Sequence, residues 1–304
     1  MSSVLYTKVS FARNLKGVKF SPRITNSEQK DMLKLSLDAI KDCGLKGSPL
    51  NELGKNVIDN LIATEQINPA FVDDDLTNKG YASGEGVNIE IGGENHILIS
   101  STDKDVFSAY AKAKEVDKKL CNKLNFAYND KYGFLFPDIR NLGSGMSIEV
   151  EMLLPAMTKL NAIKTLPKSH EKLLFNIECI SENGVYLIST GTNLGYTEKN
   201  ICELTHSYIN KILKCEIEAS KTLAKEDMDE VLDKNARAKA ILNNCVKITP
   251  EEACLLIGDI LIAINADIEK DITIKQIHKL LNLVKINKNN YKNLSQEIKK
   301  VLKD

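Results

Sequence analysis

The sequence predicts an α+β fold, an antiparallel sheet flanked by helices, followed by a small all-helical domain. Three observations carry that expectation. Short runs alternate apolar and polar residues with a period of two, as half-buried strands do. Longer runs between them place apolar residues three and four apart, the pattern of amphipathic helices. From Lys225 to the end the chain reads as short helices without a convincing strand. The division expected from this change is residues 1–224 and 225–304, a mixed layer followed by a helical one.

The elements follow in order. Leu5, Thr7, Val9 and Phe11 alternate with Tyr6, Lys8 and Ser10, which predicts an opening strand. Next comes a helix with Asn26 as N-cap and Gln29 three residues on, an apolar stripe of Leu33, Leu37 and Ile40, and Gly44 as a stop. Val87–Ile91 and His96–Ile99 alternate on either side of Gly92-Gly93-Glu94-Asn95, a hairpin with a four-residue loop. Val106, Ala109, Ala113, Val116 and Leu120 mark a helix over about 103–120. From Ser147 to Leu154 the apolar residues share one face, Ser147, Glu149 and Glu151 share the other, and Pro155 ends the strand. Val185–Thr190 reads as one more strand, and a long helix runs from about Thr197 toward Leu223. The chain closes in the Lys/Asn-rich stretch 285–304, read as a solvated helix face.

Composition narrows the function. Lys plus Arg and Asp plus Glu are 41 each, which argues against a protein built to neutralise nucleic-acid phosphates. The seven cysteines are odd in number and contain no C-x-x-C pair. That argues against metal fingers or a disulfide framework and for reduced, mostly buried thiols. With neither a signal-type segment nor an apolar run of membrane-spanning length, the expectation is a cytoplasmic protein with no membrane and no nucleic-acid partner.

Motifs then add a family. Val4-Leu5-Tyr6-Thr7-Lys8-Val9-Ser10-Phe11-Ala12-Arg13-Asn14 resembles the opening strand V-L-S-S-R-I-R-L-A-R-N of the ATP:guanido phosphotransferases. Gly133-Phe134-Leu135, Asn141-Leu142-Gly143-Ser144-Gly145-Met146 and Leu154-Pro155-Ala156 resemble G-Y-L, N-V-G-T-G-L and L-P-A of that family. Ile188-Ser189-Thr190-Gly191-Thr192-Asn193-Leu194-Gly195 resembles I-S-N-Q-x-T-L-G, and Gly92–Ile99 is similar to N-E-E-D-H-L-R-I. Order and spacing agree over this whole stretch, and the helical tail is similar to that of the bacterial protein arginine kinases. The resemblance implies a site that binds Mg-ATP on the sheet and moves the γ-phosphoryl to a guanidinium nitrogen. Such chemistry rests on positioning and on neutralising phosphate charge, for which the family uses five arginines.

Carried over residue by residue, those arginines fall on Lys8, Ser10, Leu98, Ser147 and, loosely, Lys172, with His96 lining the same nucleotide site. Glu94 falls on the carboxylate of the hairpin motif and Asp138 on the family cysteine beside the guanidinium; these two are the candidate catalytic residues. Glu149 and Glu151 share the face of Ser147. Each charge-assisted contact is worth roughly 1.5–3 kcal/mol, so losing three removes about 4–9 kcal/mol if the losses add. Gly143-Ser144-Gly145 can cradle a phosphate through backbone N–H groups or serve only as a tight turn into the strand. The expectation is a pseudokinase that regulates or scaffolds a partner, such as an intact protein arginine kinase or its regulators, with homodimerisation through the tail. The alternative is an active divergent kinase in which Lys8 and Lys172 hold phosphates and Glu94 or Asp138 steers the guanidinium.

Overall fold

The computed structural model describes residues 3–21, 23–64, 66–72, 75–138, 142–191, 194–287 and 290–303. Asn141, Thr192 and Asn193 of the motifs above, and Lys288, Asn289 and Asp304 of the closing stretch, lie outside the described residues.

Alternation in the opening run becomes β1 (Val4–Arg13), and the first helix is α1 (Asn26–Asp42). A connecting region holds β2 (Lys46–Pro49), α2 (Lys55–Ala63) and the single turn α3 (Pro69–Val72). Then come β3 (Gly80–Gly84), β4 (Val87–Ile91), β5 (Ile97–Asp103) and α4 (Val106–Cys121). A small hairpin, β6 (Tyr128–Asn129) and β7 (Gly133–Phe134), precedes β8 (Met146–Leu153) and α5 (Pro155–Lys159). The sheet is completed by β9 (Ser169–His170), β10 (Leu173–Ser181) and β11 (Val185–Thr190). Helices α6 (Glu198–Glu226), α7 (Met228–Asn244), α8 (Pro250–Asn265), α9 (Ile274–Ile286) and α10 (Tyr291–Lys303) follow.

Among the described residues nine strands form one sheet in the order β2-β3-β4-β5-β1-β8-β11-β10-β9, with all pairs antiparallel. Its two faces differ because successive side chains point to opposite sides. One face carries Val9, Phe11, Ile89, Ile99, Ile148, Val150 and Ile188, all buried in a core shared with α1, α4 and α6. The other carries Lys8, Ser10, Leu98, Ser147 and Glu149. At the β3–β4 side this second face is covered by residues 50–72, whose Leu50, Leu61, Ile67 and Phe71 cluster with Tyr81.

Among the described residues Arg13 is the largest fully buried side chain. Its Nε and Nη2 donate to the two oxygens of Asp117 on α4 at 2.8 and 2.9 Å. Nη1 donates to the carbonyls of Ala12 (2.8 Å) and Ser144 (2.9 Å), and the guanidinium lies 3.6 Å from the centre of the Phe134 ring. The central strand, α4, the β7 segment and the Gly-x-Gly turn are therefore tied at one charge. Gly145 has φ +61°, and a Cβ there would stand 2.8 Å from Arg13 Nη1 and 2.6 Å from the Phe136 ring.

A second buried charge seats α5. Glu216 of α6 is fully buried and accepts the N–H groups of Ala156 (2.9 Å) and Met157 (3.0 Å). Burial outweighs these bonds and raises its pKa to about 7.

Several expectations need correction. Thr25, not Asn26, caps α1, and its partner is Glu28, not Gln29: Thr25 Oγ1 accepts the Glu28 N–H at 3.3 Å and the Glu28 carboxylate accepts the Thr25 N–H at 2.8 Å. An ionised carboxylate is the stronger acceptor, which selects that register. The seven thiols are free, but only Cys202 is buried, whereas Cys121 of α4, Cys179 of β10 and Cys215 of α6 are exposed. The expected division after residue 224 falls in the last turn of α6. Helices α7–α10 form a core that also takes in Leu153 and Val185 of the sheet.

Asp117→Leu is expected to cost about 3–5 kcal/mol, because it strands the Arg13 charge in the interior. Arg13→Met is expected to cost less, since Lys114 stays 3.0 Å from Asp117, and the double variant should recover part of the loss. Urea unfolding of the three proteins checks the order. Glu216 gives a pH signature. Between its ordinary 4.5 and about 7 the folded chain keeps a proton that the unfolded chain has released, so stability falls as pH rises through that window. Glu216→Gln should flatten that fall, worth on the order of 3 kcal/mol, in melting temperatures measured from pH 4.5 to 8.

Candidate functional site

Four of the expected nucleotide positions converge on one surface. Lys8 and Ser10 on β1, Leu98 on β5 and Ser147 on β8 occupy three adjacent strands, on the face turned away from the helices. Register fixes their neighbours. Ser10 pairs with Ser100 on one side and Ser147 on the other, while Lys8 pairs with Thr102 and Glu149. Directly opposed side chains have Cβ atoms about 5 Å apart, so the cation of this group faces a carboxylate. Glu151 pairs with Tyr6 and Leu187, and Glu178 of β10 pairs with Leu187 from the other side.

Glu90 on β4 adds a further acid to the same face. It is buried under residues 50–72, and its Oε1 accepts the Asn68 N–H at 2.9 Å. Burial raises its pKa, the Asn68 bond and the charge of Lys8 oppose that rise, and Glu149 adds to it. Beside these groups lies an open cleft of about 510 Å³, floored by Lys8, Asn88 and Thr102, with Gln66 on one wall and Asn282 of α9 on another. That volume is in the range of small-molecule sites.

The remaining expected residues sit elsewhere. His96 is buried and fully engaged: Nδ1 accepts the Leu15 N–H at 2.9 Å, and Nε2 lies 3.0 Å from the Lys19 carbonyl. Burial lowers its pKa, so the neutral ring with the proton on Nε2 satisfies both contacts. It ties the hairpin loop to residues 15–19, with both ring nitrogens engaged by backbone groups rather than open to the sheet face. Lys172 is likewise not part of the group. With Glu171 it forms the two-residue tip of the β9–β10 hairpin, both at positive φ (47° and 69°), as such a turn requires. Lys172 is exposed there, at the edge of the sheet and three strands from β1.

Glu94 is exposed in the β4–β5 loop, and Asp138 is half-buried beyond Phe136. The two segments meet through Asn14, whose Nδ2 donates to Asn95 Oδ1 (3.2 Å) and to the Leu135 carbonyl (3.1 Å), while its Oδ1 accepts the His96 N–H (3.0 Å). Both candidate carboxylates thus belong to the Arg13 end of β1, and Lys8 to the other half of the strand. The Gly143-Ser144-Gly145 turn gives its carbonyls to the fold: those of Gly143, Ser144 and Gly145 accept from Phe134 N–H, Arg13 and Ala12 N–H. Asn14, Glu90 and Lys104, which borders the cleft, are residues to which motif reading gives no role. Asn14 ends the opening-strand motif, and that match was its available signal; for Glu90 the signal was a polar residue on the open face of a strand. Lys104 has none apart from position.

Chemically, the expected arginine positions on this face retain one ammonium, Lys8, opposed by Glu149, where a triphosphate needs several guanidinium forks. Among the described residues no three metal-ligating side chains come together, and no helix is long and apolar enough to cross a membrane.

Comparison with known proteins agrees with this architecture. The profile of the ATP:guanido phosphotransferase C-terminal catalytic domain matches residues 29–219. A protein-arginine kinase of Clostridium perfringens is 25% identical over 92% of this chain and 87% of its own length. One from Halothermothrix orenii is 28% identical over 93% and 84%. In structure the chain is similar to lombricine kinase, with a TM-score of 0.59 at 19% identity over 75% of this chain and 69% of that one. It is also similar to the duplicated taurocyamine kinase of Schistosoma mansoni, with a TM-score of 0.60 at 20% identity. There 71% of this chain spans only 33% of the longer one. A family profile covering more than half of the sequence, on an antiparallel sheet with the family's strand motifs in place, establishes that this chain belongs to the ATP:guanido phosphotransferase family.

Proposed function

We propose that this protein is a protein arginine kinase-like pseudokinase, a member that keeps the fold and has given up phosphoryl transfer. The observation that carries the proposal is the pairing of Lys8 with Glu149 on a face where the other arginine positions are Ser10, Leu98 and Ser147. Phosphoryl transfer depends on preorganised positive charge around the γ-phosphoryl. Here the one ammonium at the centre is opposed by Glu149 and felt by Glu90, and Lys172 stands at the sheet edge. Under this reading the protein acts through contact with a protein partner, an intact protein arginine kinase or one of its regulators.

Isothermal titration of Mg-ATP at moderate salt is expected to give no saturable heat up to millimolar nucleotide. Glu149→Ser should tighten whatever residual binding exists by roughly five- to tenfold, since it removes a charge opposite Lys8. Phosphoarginine formation on an arginine-rich acceptor protein, read by phosphorus NMR and abolished by Glu94→Gln, would overturn the reading in favour of a divergent active kinase.

A further inference from the structure

Part of the outer edge of β10 is open. The Gly191 N–H donates to the Leu174 carbonyl on the β11 side, and the Phe175 N–H donates to the Lys168 carbonyl on the β9 side, both at 2.8 Å. Backbone groups of successive strand residues point to opposite sides. Asn176 and Glu178 therefore turn theirs toward β11, while Ile177 and Cys179 turn theirs outward. The chain around β9 covers this edge only along Lys168, Ser169 and His170. Before that it leaves the sheet, because Leu166 is buried and the Pro167 carbonyl accepts the Tyr208 hydroxyl of α6. Among the described residues the outward N–H and C=O groups of Ile177 and Cys179 have no partner.

The side chains here are as open as the backbone. Asn176, Glu178, Cys179 and Ile180 are all exposed, Ile180 by 51%. Glu178 has no ion pair among the described residues, and Glu182 is exposed in the turn that follows. An unpaired edge of this kind is a template for another strand.

Register decides what that strand is. Antiparallel pairing with a second copy of this chain must centre on a two-fold axis. Centred on Ile177, it needs the Phe175 N–H that Lys168 already holds. Centred on Cys179, it needs Ser181, which lies past a register shift and pairs back with Val185. Centred on Glu178, it sets that carboxylate directly against its own copy, and like charges so placed repel. A different chain with a cation at that position meets none of these obstacles.

We propose that the open edge of β10 docks an extended segment of another protein, which adds an antiparallel strand at Ile177 and Cys179 and sets a basic residue opposite Glu178. Main-chain hydrogen bonds supply the attachment, and the residues facing Glu178 and Ile180 supply the selectivity. The inference goes beyond the pseudokinase reading and does not rest on it, since it uses the backbone of β10 and not the Lys8 positions.

The test follows amide hydrogen exchange and amide NMR shifts of the full chain during titration with the end-blocked peptide Val-Thr-Lys-Val-Thr and its counterpart Val-Thr-Glu-Val-Thr. In the free chain the Ile177 and Cys179 amides are expected to exchange fast and those of Asn176 and Glu178 slowly. The lysine peptide is expected to bind saturably, to protect the two fast amides, and to bind about three- to tenfold more tightly than the glutamate peptide. Glu178→Lys should reverse that preference, and Cys179→Pro, which removes an outward N–H, should abolish binding. Protection of both amides in the free monomer, no peptide binding up to millimolar concentration, or binding indifferent to Glu178→Lys each overturns the proposal. Protection that grows with protein concentration alongside a dimer mass overturns it in favour of a second copy. None of these outcomes bears on Mg-ATP binding, so the pseudokinase reading stands or falls separately.

Discussion

The buried guanidinium of Arg13 organises this molecule. Arg13 has lost its water, and a charge in that position is tolerable only when its donors find partners. They find them on three separate stretches of chain: Asp117 of α4, the Ser144 carbonyl in the turn before β8, and its own strand through Ala12. Phe134 closes the flat side. This explains Gly145 better than a phosphate does. The backbone must approach within a Cβ's radius of Arg13 and the Phe136 ring, at a positive φ. A motif that reads as an anion cradle is spent on seating a cation of the protein itself.

Strand β1 therefore carries two kinds of constraint on its two sides. Val9, Phe11 and Arg13 point into the core, where a change of volume or charge is expensive. Lys8 points to the open face, where substitutions disturb little packing. Residues on that face can drift from arginine to serine, leucine or lysine without loosening the sheet. The fold and the polar face of the sheet are thus separable in energy, so the family's antiparallel sheet can be kept while the residues on that face vary.

The sequence was informative where physics imposes a period. β8 and β11 alternate cleanly because one face is buried under α6, and α4 shows its stripe because Ala109, Ala113 and Val116 pack on the sheet. It was silent where burial is one-sided or local. β10 has exposed Leu174, Ile180 and Cys179 beside buried Leu173 and Phe175, so no period emerges. β3 begins and ends in glycine, and residues 50–72 gather apolar side chains over the open face through short helices whose pattern is too brief to read. At the site, Lys8, Ser10, Leu98 and Ser147 fall on one face because they sit on strands with fixed register. His96 anchors a loop and Lys172 sits at a hairpin tip, where no period marks a position. Lys104 lay one residue past a strand end, where neither period nor motif reaches.

The helical region is not an appendage to this surface. Leu153 and Val185 of the sheet belong to the same apolar core as Ile257, Leu261 and Leu281, and Lys159 pairs with Asp259 at 2.6 Å. This seating holds α9 beside the start of β1, which lets Asn282 border the cleft that Lys8 floors. Apolar packing is non-directional, but the strands it clamps are not, so the position of α9 is inherited from the sheet register. Any ligand that spans Lys8 and Asn282 must then stabilise the contact between the two regions by its own binding free energy. Conversely, whatever shifts α9 against β1 alters the cleft. The open face and the helical region thus share one thermodynamic linkage, whether or not phosphoryl transfer takes place there.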